Sequence, residues 1–322
     1  MAFGPAFRSL IRTPVYSIAV ILTLALGLAA VGSMVAVVHG VLLAPLPYGE
    51  PERLVSLQLE VADGTRISQS PAFHAAYRRH STQLGDVALY RTGSANVWTG
   101  TEDVGAEHLT ATWVTASMMR LLQAPPLLGR SFSDEEERRG GPDAVILSES
   151  EWRSRFAAAP DVLGKTLIVN EVPRQIVGVM PARFAFPSAS TRLWLPVKYV
   201  DNATAGDFIY TGVARLAPGA TAASAQAELA AILPKVAQMF PRLHSGGSTA
   251  AWLDDARPSQ RLASLRDAIT SRIAPMLWLL AAVAGLVLLV AWANVANLVL
   301  VRTDAGRQGG AIREALGASA CA

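Results

Sequence analysis

The chain has one cysteine, Cys321, in 322 residues. A lone thiol builds no disulfide framework, so any extracytoplasmic part must rest on its packed core. Charged residues are few, 16% of the chain, and their scarcity is local. Asp, Glu, Lys and Arg are all missing from Pro14 to Gly49 and again from Ile273 to Val301. Both runs exceed the roughly 18–20 apolar residues that cross a bilayer core. A strongly basic balance is also missing. The net charge is +3 and the arginines form no stripe, which argues against nucleic acid as a partner. The five histidines, His39, His74, His80, His108 and His244, fall in no metal-ligand spacing. There is no HExxH, GxSxG or CxxC. These absences point away from an enzyme and imply no catalytic residue, cofactor or metal.

One fragment of a nucleotide motif is present. Gly164-Lys165-Thr166 has the ending of a phosphate-binding loop. The full motif needs a glycine five residues before the Gly-Lys pair, so that backbone N–H groups wrap the phosphates. Ala159 holds that position, and Pro160 after it has no N–H to offer. Leu167-Ile168-Val169 then reads as a strand where the loop should open a helix. The expectation is a turn entering a strand, with no ATP bound by this chain.

The first uncharged run is too long for a signal-peptide core of about 7–15 residues. Thr13 suits an N-cap and Pro14 the first helical position, while Pro45 and Pro47 stop the helix. Some thirty residues at 1.5 Å each give about 45 Å against a core of about 30 Å. His39 and Gly40 near the far end favour a projecting stalk. Arg8 and Arg12 precede this run, which puts the N-terminus in the cytoplasm and the long middle region outside it. Lipid is therefore an expected partner. Ala25, Ala29 and Ser33, and likewise Gly32, Ala36 and Gly40, are small-residue ladders of the kind that let helices approach. Asn294 and Asn297, one turn apart in the second run, are expected to face partner helices.

The middle region alternates strand and helix signals, which predicts an α+β domain. Strands are expected at Leu54–Leu59, Val87–Tyr90, Ala95–Thr99, His108–Thr112, Ala144–Leu147 and Val213–Leu216. A hairpin is expected from Thr166–Val169 and Arg174–Val179. Ser70-Pro71 opens a helix through His80, on which His74 and Arg78 share an exposed face. A short helix is expected over Ser117–Leu122. Ser133 with Glu136, and Ser148 with Glu151, have capping-box spacing. The run DEEERR then reads as a solvated helix start. A helix over Ala222–Phe240 bends at Pro234. Trp152, Phe184, Phe186 and Trp194 read as core or interface anchors.

The opening FRSLIRTPVYSIAVILTLALGLAAVGSMVAVVHGVLLAPLPYGEPERLVSL resembles that of MacB-like ABC transporter permeases of the FtsX/MacB superfamily. It is most similar to the duplicated-permease branch abundant in Acidobacteria. The resemblance continues through LLGRSFSDEE, VILSESEWRSRF, VLGKTLIVN, IVGVMPARFAFP, LWLPV and VARLAPGATAASAQAELA to VAWANVANLVLVRT and REALGAS. It implies a cytoplasmic N-terminus (1–13), a transmembrane helix with stalk (14–44) and a MacB-like periplasmic core domain (45–272). A smaller lobe would be inserted at about 123–206, dividing a porter-like part. A second transmembrane helix (273–301) and a truncated cytoplasmic coupling segment (302–322) would follow.

The resemblance further implies a permease subunit, or an N-terminal fragment of one, in the inner membrane. A complete permease unit has four transmembrane helices and the duplicated branch eight, where this chain has two. Hydrolysis of ATP by a separate ABC ATPase would drive periplasmic movement for efflux or export, with the helices as levers. A second permease copy would form a dimer, and a periplasmic adaptor or substrate protein is a further implied partner. The coupling helix would seat on the ATPase through Ala311, Ile312, Arg313, Ala315 and Leu316. Relatives typically carry Glu-Ile where this chain has Gly309-Gly310, so the helix is expected to begin only near Ala311. The competing reading is a two-span sensor or scaffold whose extracytoplasmic domain binds a ligand or protein. Some twenty residues after Val301 supply no output domain for it.

Overall fold

The computed structural model describes residues 14–43, 45–98, 107–198, 204–271 and 273–315. The chain divides into two compact units, Met1–Ala44 with Thr270–Ala322, and Pro45–Ile269.

The first unit is helical. Helix α1 spans Pro14–Val38 and closes in a π-helical turn, His39–Leu43. At the other end of the chain, 42 residues, Ala274–Ala315, form a single helix, labelled α9 below. It runs unbroken through Gly309-Gly310, so the expected fresh start near Ala311 is not observed. Two glycines cost about 1 kcal/mol each against alanine. Breaking the helix there would require a second nucleation, which is itself unfavourable.

The second unit is built on one large sheet, of 11 strands among the described residues. Its elements run β1 (Leu54–Glu60), β2 (Arg66–Ile67), α2 (Pro71–His80), β3 (Leu84–Trp98), β4 (Glu107–Val114), α3 (Ser117–Leu121), β5 (Leu128–Gly129) and α4 (Asp134–Glu137). They continue with β6 (Ala144–Ser148), α5 (Glu149–Phe156), β7 (Thr166–Val169), β8 (Val172–Met180), β9 (Leu193–Pro196), β10 (Thr204–Ala205) and β11 (Thr211–Leu216). The last are α6 (Ala222–Met239), β12 (Arg242–Leu243), α7 (Thr249–Ala256), β13 (Ser259–Ser264) and α8 (Leu265–Thr270). Among the described residues the sheet order is β13-β1-β11-β3-β4-β9-β6-β8-β5, with β2 on β1 and β7 bridging β3 and β8. Within the stretch 123–206, β5 to β9 join the same sheet, through β9 parallel to β4 and β7 against the far end of β3, while β10 pairs with β12 in a separate two-stranded sheet.

Strand alternation decides where the cores sit, because neighbouring residues point to opposite faces. Leu54, Ala88, Val114, Ile146, Val177, Trp194 and Val213 point to one face and form one cluster along the sheet. The opposite face carries two clusters. Val55, Leu57, Leu59, Val87 and Ala214 pack under α2 and α6 at one end. Ala111, Val145, Leu147, Ile176, Val179, Leu193 and Leu195 form the other, with Trp152 and Phe156 of α5 against it. Pro234 lies inside α6, which continues to Met239.

Several local expectations need correction. Val87–Tyr90 and Ala95–Trp98 belong to one 15-residue strand, with Thr99 outside the described residues. His74 is buried rather than exposed, with Nε2 3.1 Å from the Val87 carbonyl oxygen. In DEEERR the capping box at Ser133 forms, but Glu136 and Glu137 are buried rather than solvated. Ser148 caps α5 by accepting from the Glu151 amide at 3.2 Å. The return bond is not made, because Glu151 pairs with Arg155 at 2.5 Å and the Ser148 amide donates to Arg192 O at 2.8 Å. Gly164-Lys165-Thr166 is a turn into β7. Gly164 has φ +84°, and Lys165 Nζ pairs with Asp161 at 2.9 Å.

Candidate functional site

Two places stand out: the pairing of α1 with α9, and the residues of the sheet unit that adjoin the two helices in sequence.

In α1 the less exposed positions are Val20, Leu24, Gly27, Val31, Met34 and Val38. In α9 they include Ala274, Leu277, Ala281, Ala284, Leu288, Ala291 and Val295. Both series step by three and four, the seam of two helices packed side by side. Gly27 is a point of close approach. A Cβ placed there would lie 3.0 Å from Leu288 Cδ1 and 3.7 Å from Ala291 Cβ. The ladder residues Gly32, Ala36 and Gly40 are exposed, as are Asn294 and Asn297. Among the described residues no other helix covers the faces on which they lie. Heptad spacing in a uniformly apolar run was the signal for Gly27, and composition hides it.

Of the expected coupling residues, Ala311, Ile312, Arg313 and Ala315 are in the last turns of α9. Leu316 lies outside the described residues.

In the sheet unit, the residues after α1 are held by an arginine fork. Arg215, on β11, donates from Nη2 to Gly49 O at 2.6 Å and from Nη1 to Glu50 O at 3.3 Å. Its Nε donates to Leu121 O at 2.9 Å. Glu50 adopts a left-handed backbone, φ 46°, which non-glycine residues rarely do. Its carboxylate meets Arg53 at 2.7 Å and Arg215 at 3.3 Å. The Arg53 hydrogen bond holds this exposed carboxyl below its ordinary pKa. Beside the fork, Tyr48 stands edge-on to Phe184 and Phe186, with ring centroids 6.1 Å away in each case. Burial, with Tyr90 close by, pushes its phenol well up. Phe184 packs on Trp194 at 5.2 Å, and Trp194 Nε1 donates to Phe186 O at 3.0 Å.

The residues before α9 reach the same cluster. Leu265 is buried in it and Ile269 packs against it, as do Leu46 and Tyr48 from the other end. Sequence reading named Phe184, Phe186 and Trp194 as anchors but missed Tyr48 and Arg215. An arginine inside the apolar stretch Val213–Leu216 was the available signal for the second.

Among the described residues no group of three or more His, Cys, Asp or Glu could hold a metal ion. Among the described residues two helices, Val20–Val38 and Ala274–Asn297, are long and apolar enough to cross a membrane. With an α+β domain between them in the chain, and with the family match that follows, they mark a membrane protein with an extracytoplasmic domain. The MacB-like periplasmic core domain family matches residues 17–232. The chain belongs to that family, the periplasmic domains of ABC-type transporter permeases. Its fold is similar to the periplasmic region of MacB from Actinobacillus actinomycetemcomitans (13% identity, 73% of this chain and 98% of that one, TM-score 0.48). It is also similar to a domain of a protein described as a permease from Porphyromonas gingivalis (16%, 68% and 93%, TM-score 0.48). A third is the extracellular domain of the noncanonic ABC-type transporter YknZ from Gram-positive bacteria (12%, 65% and 99%, TM-score 0.42). No curated protein matches the chain.

Proposed function

We propose that this chain is a permease component that converts ATP hydrolysis by a separate ABC ATPase into movement of its periplasmic domain, for efflux or export across the cell envelope. One observation carries the reading. The residues following the first apolar helix and those preceding the second, Leu46 and Tyr48 with Leu265 and Ile269, meet in the single cluster that runs along the sheet. A displacement arriving from either helix therefore acts on the whole sheet, because close-packed interiors transmit strain. The domain lies at residues 45–272 and the helices span the inner membrane, with 302–322 in the cytoplasm.

In this reading Ala311, Ile312, Arg313, Ala315 and Leu316 dock the ATPase. The outward ladder Gly32, Ala36 and Gly40, with Asn294 and Asn297, packs against helices of a second permease copy. Membrane lipid covers the remaining apolar faces, and a periplasmic adaptor or substrate protein meets the domain. The test has two arms. Reporter fusions at Ser148 and after Ala315 should report opposite sides of the membrane. Of the candidate ABC ATPases co-expressed with the full chain, one should co-purify, and Arg313→Glu should abolish its capture. Fusions reporting the same side, or capture indifferent to Arg313→Glu, would sink the reading.

A further inference from the structure

Glu137 is a buried carboxylate that the transport reading leaves without a role. It ends the one-turn helix α4 and is 4% exposed. Its carboxylate accepts from the Ala116 amide at the N-terminal end of α3. From α2, Arg78 Nη1 stands 3.9 Å from Oε2, beyond hydrogen-bond reach, while Arg78 Nη2 binds Asp134 at 3.0 Å. Arg120 of α3 faces the same seam, but its guanidinium is turned to Asp86 of β3 at 3.1 Å. His74, one turn before Arg78, is held neutral by burial, its pKa lowered to about 4.

The neighbouring Glu136 shows what full compensation looks like. It is as deeply buried, yet Arg130 grips both its oxygens at 2.7 and 3.1 Å and the Ser133 amide donates to it at 2.8 Å. Those bonds outweigh burial and lower its pKa. Glu137 has one amide and a cation shared with Asp134. Burial prevails over Ala116 and Arg78, and the pKa rises to about 7. An ionised carboxylate in such a place gains hydration by leaving it.

We propose that Glu137 is a proton-operated clasp between the segment Ser133–Arg138 and the seam of α2 and α3. With its carboxyl protonated the segment stays closed, and ionisation opens it. The sign follows from the direction of the shift. The closed state binds the proton more tightly than a solvated glutamate does. Closure is therefore favoured at acidic pH, and that preference is lost as pH rises through neutrality. The clasp stands independently of the ATPase reading.

The test is hydrogen exchange of the full chain in detergent micelles, from pH 5.5 to 8.5, corrected for the intrinsic pH dependence of exchange. Amides around Ala116 and across Asp134–Arg138 should lose protection by about tenfold as pH rises, with a midpoint near 7. Glu137→Gln should stay protected throughout. Arg78→Met removes a cation that favours the ionised form, so its midpoint should move to higher pH. A flat wild-type profile, or an unchanged profile in Glu137→Gln, would overturn the proposal. Should Glu137→Gln fail to fold, an unmoved midpoint in Arg78→Met would overturn it instead.

Discussion

Glu228→Gln should destabilise the sheet unit without touching its core. Glu228 lies on α6 and reaches the loop between α2 and β3. Its two oxygens accept from the Ser81 hydroxyl, from Thr82 N at 2.8 Å and Oγ1 at 2.7 Å, and from Gln83 N at 3.0 Å. Burial alone would raise its pKa. These donors, led by Ser81, pull it down instead, from 4.5 to about 2. A shift of that size corresponds to at most about 3.4 kcal/mol, at about 1.36 kcal/mol per unit. The group is partly open to solvent, and screening discounts the figure to about 1–2 kcal/mol. Glutamine keeps one acceptor oxygen and turns an N–H₂ donor toward backbone donors, so it recovers little of this.

The assay is urea unfolding of the full chain in detergent, followed by tryptophan fluorescence, for wild type and Glu228→Gln at pH 7 and pH 3. A depressed carboxylate contributes stability above its ordinary pKa and loses it as pH falls toward the folded value. The gap between the two proteins should therefore be full at pH 7 and narrower at pH 3. Equal midpoints at pH 7 would refute the reasoning, and so would a gap that does not change with pH.

Gly27→Leu should separate α1 from α9, because the first added carbon already stands 3.0 Å from Leu288 Cδ1. Gly32→Leu meets nothing within 4 Å in this helix pair. Thiol labelling of a cysteine placed at Ala291, a buried position of the same seam, in a Cys321→Ser background, should rise with the first substitution and hold with the second. Lys165→Ala should change stability by no more than about 0.5 kcal/mol, since it removes only an exposed pair with Asp161. Saturable ATP binding lost in that variant would contradict the reading of this turn.

How much was legible in the sequence depended on how local the signal was. The cap at Ser70, the box at Ser133 and the hairpin through Asn170-Glu171 are decided within a few residues, and all three form. Strand β9 is four residues long and ends in proline, so it has no period to read. Its place comes from β4 on one side and β6 on the other, residues far away in the chain. Edge strand β13 reads as polar, Ser259-Gln260-Arg261, because one flank and one face are wet. His74 and Arg78 look like one solvated helix face until β3 supplies the Val87 carbonyl that takes the histidine inside. Glu136 and Glu137 look like one charge run, and only tertiary partners separate the fully paired carboxylate from the partly compensated one.

The two faces of the sheet also divide the consequences of substitution. On the split face, a cavity at Leu229 of α6 would loosen the packing under α2, and the cluster around Val145 and Leu195 shares no residue with it. On the common face no such boundary exists. Trp194 touches Phe184, which touches Tyr48, and Leu54, Val213 and Leu265 continue the same cluster toward the other edge. The side chains nearest in sequence to the two apolar helices were placed on the common face. A protein that only needed to anchor this domain could have attached the helices to either local cluster. Under the transport reading proposed above, joining both to the shared one lets the domain respond as a piece, which is what a lever requires and an anchor does not.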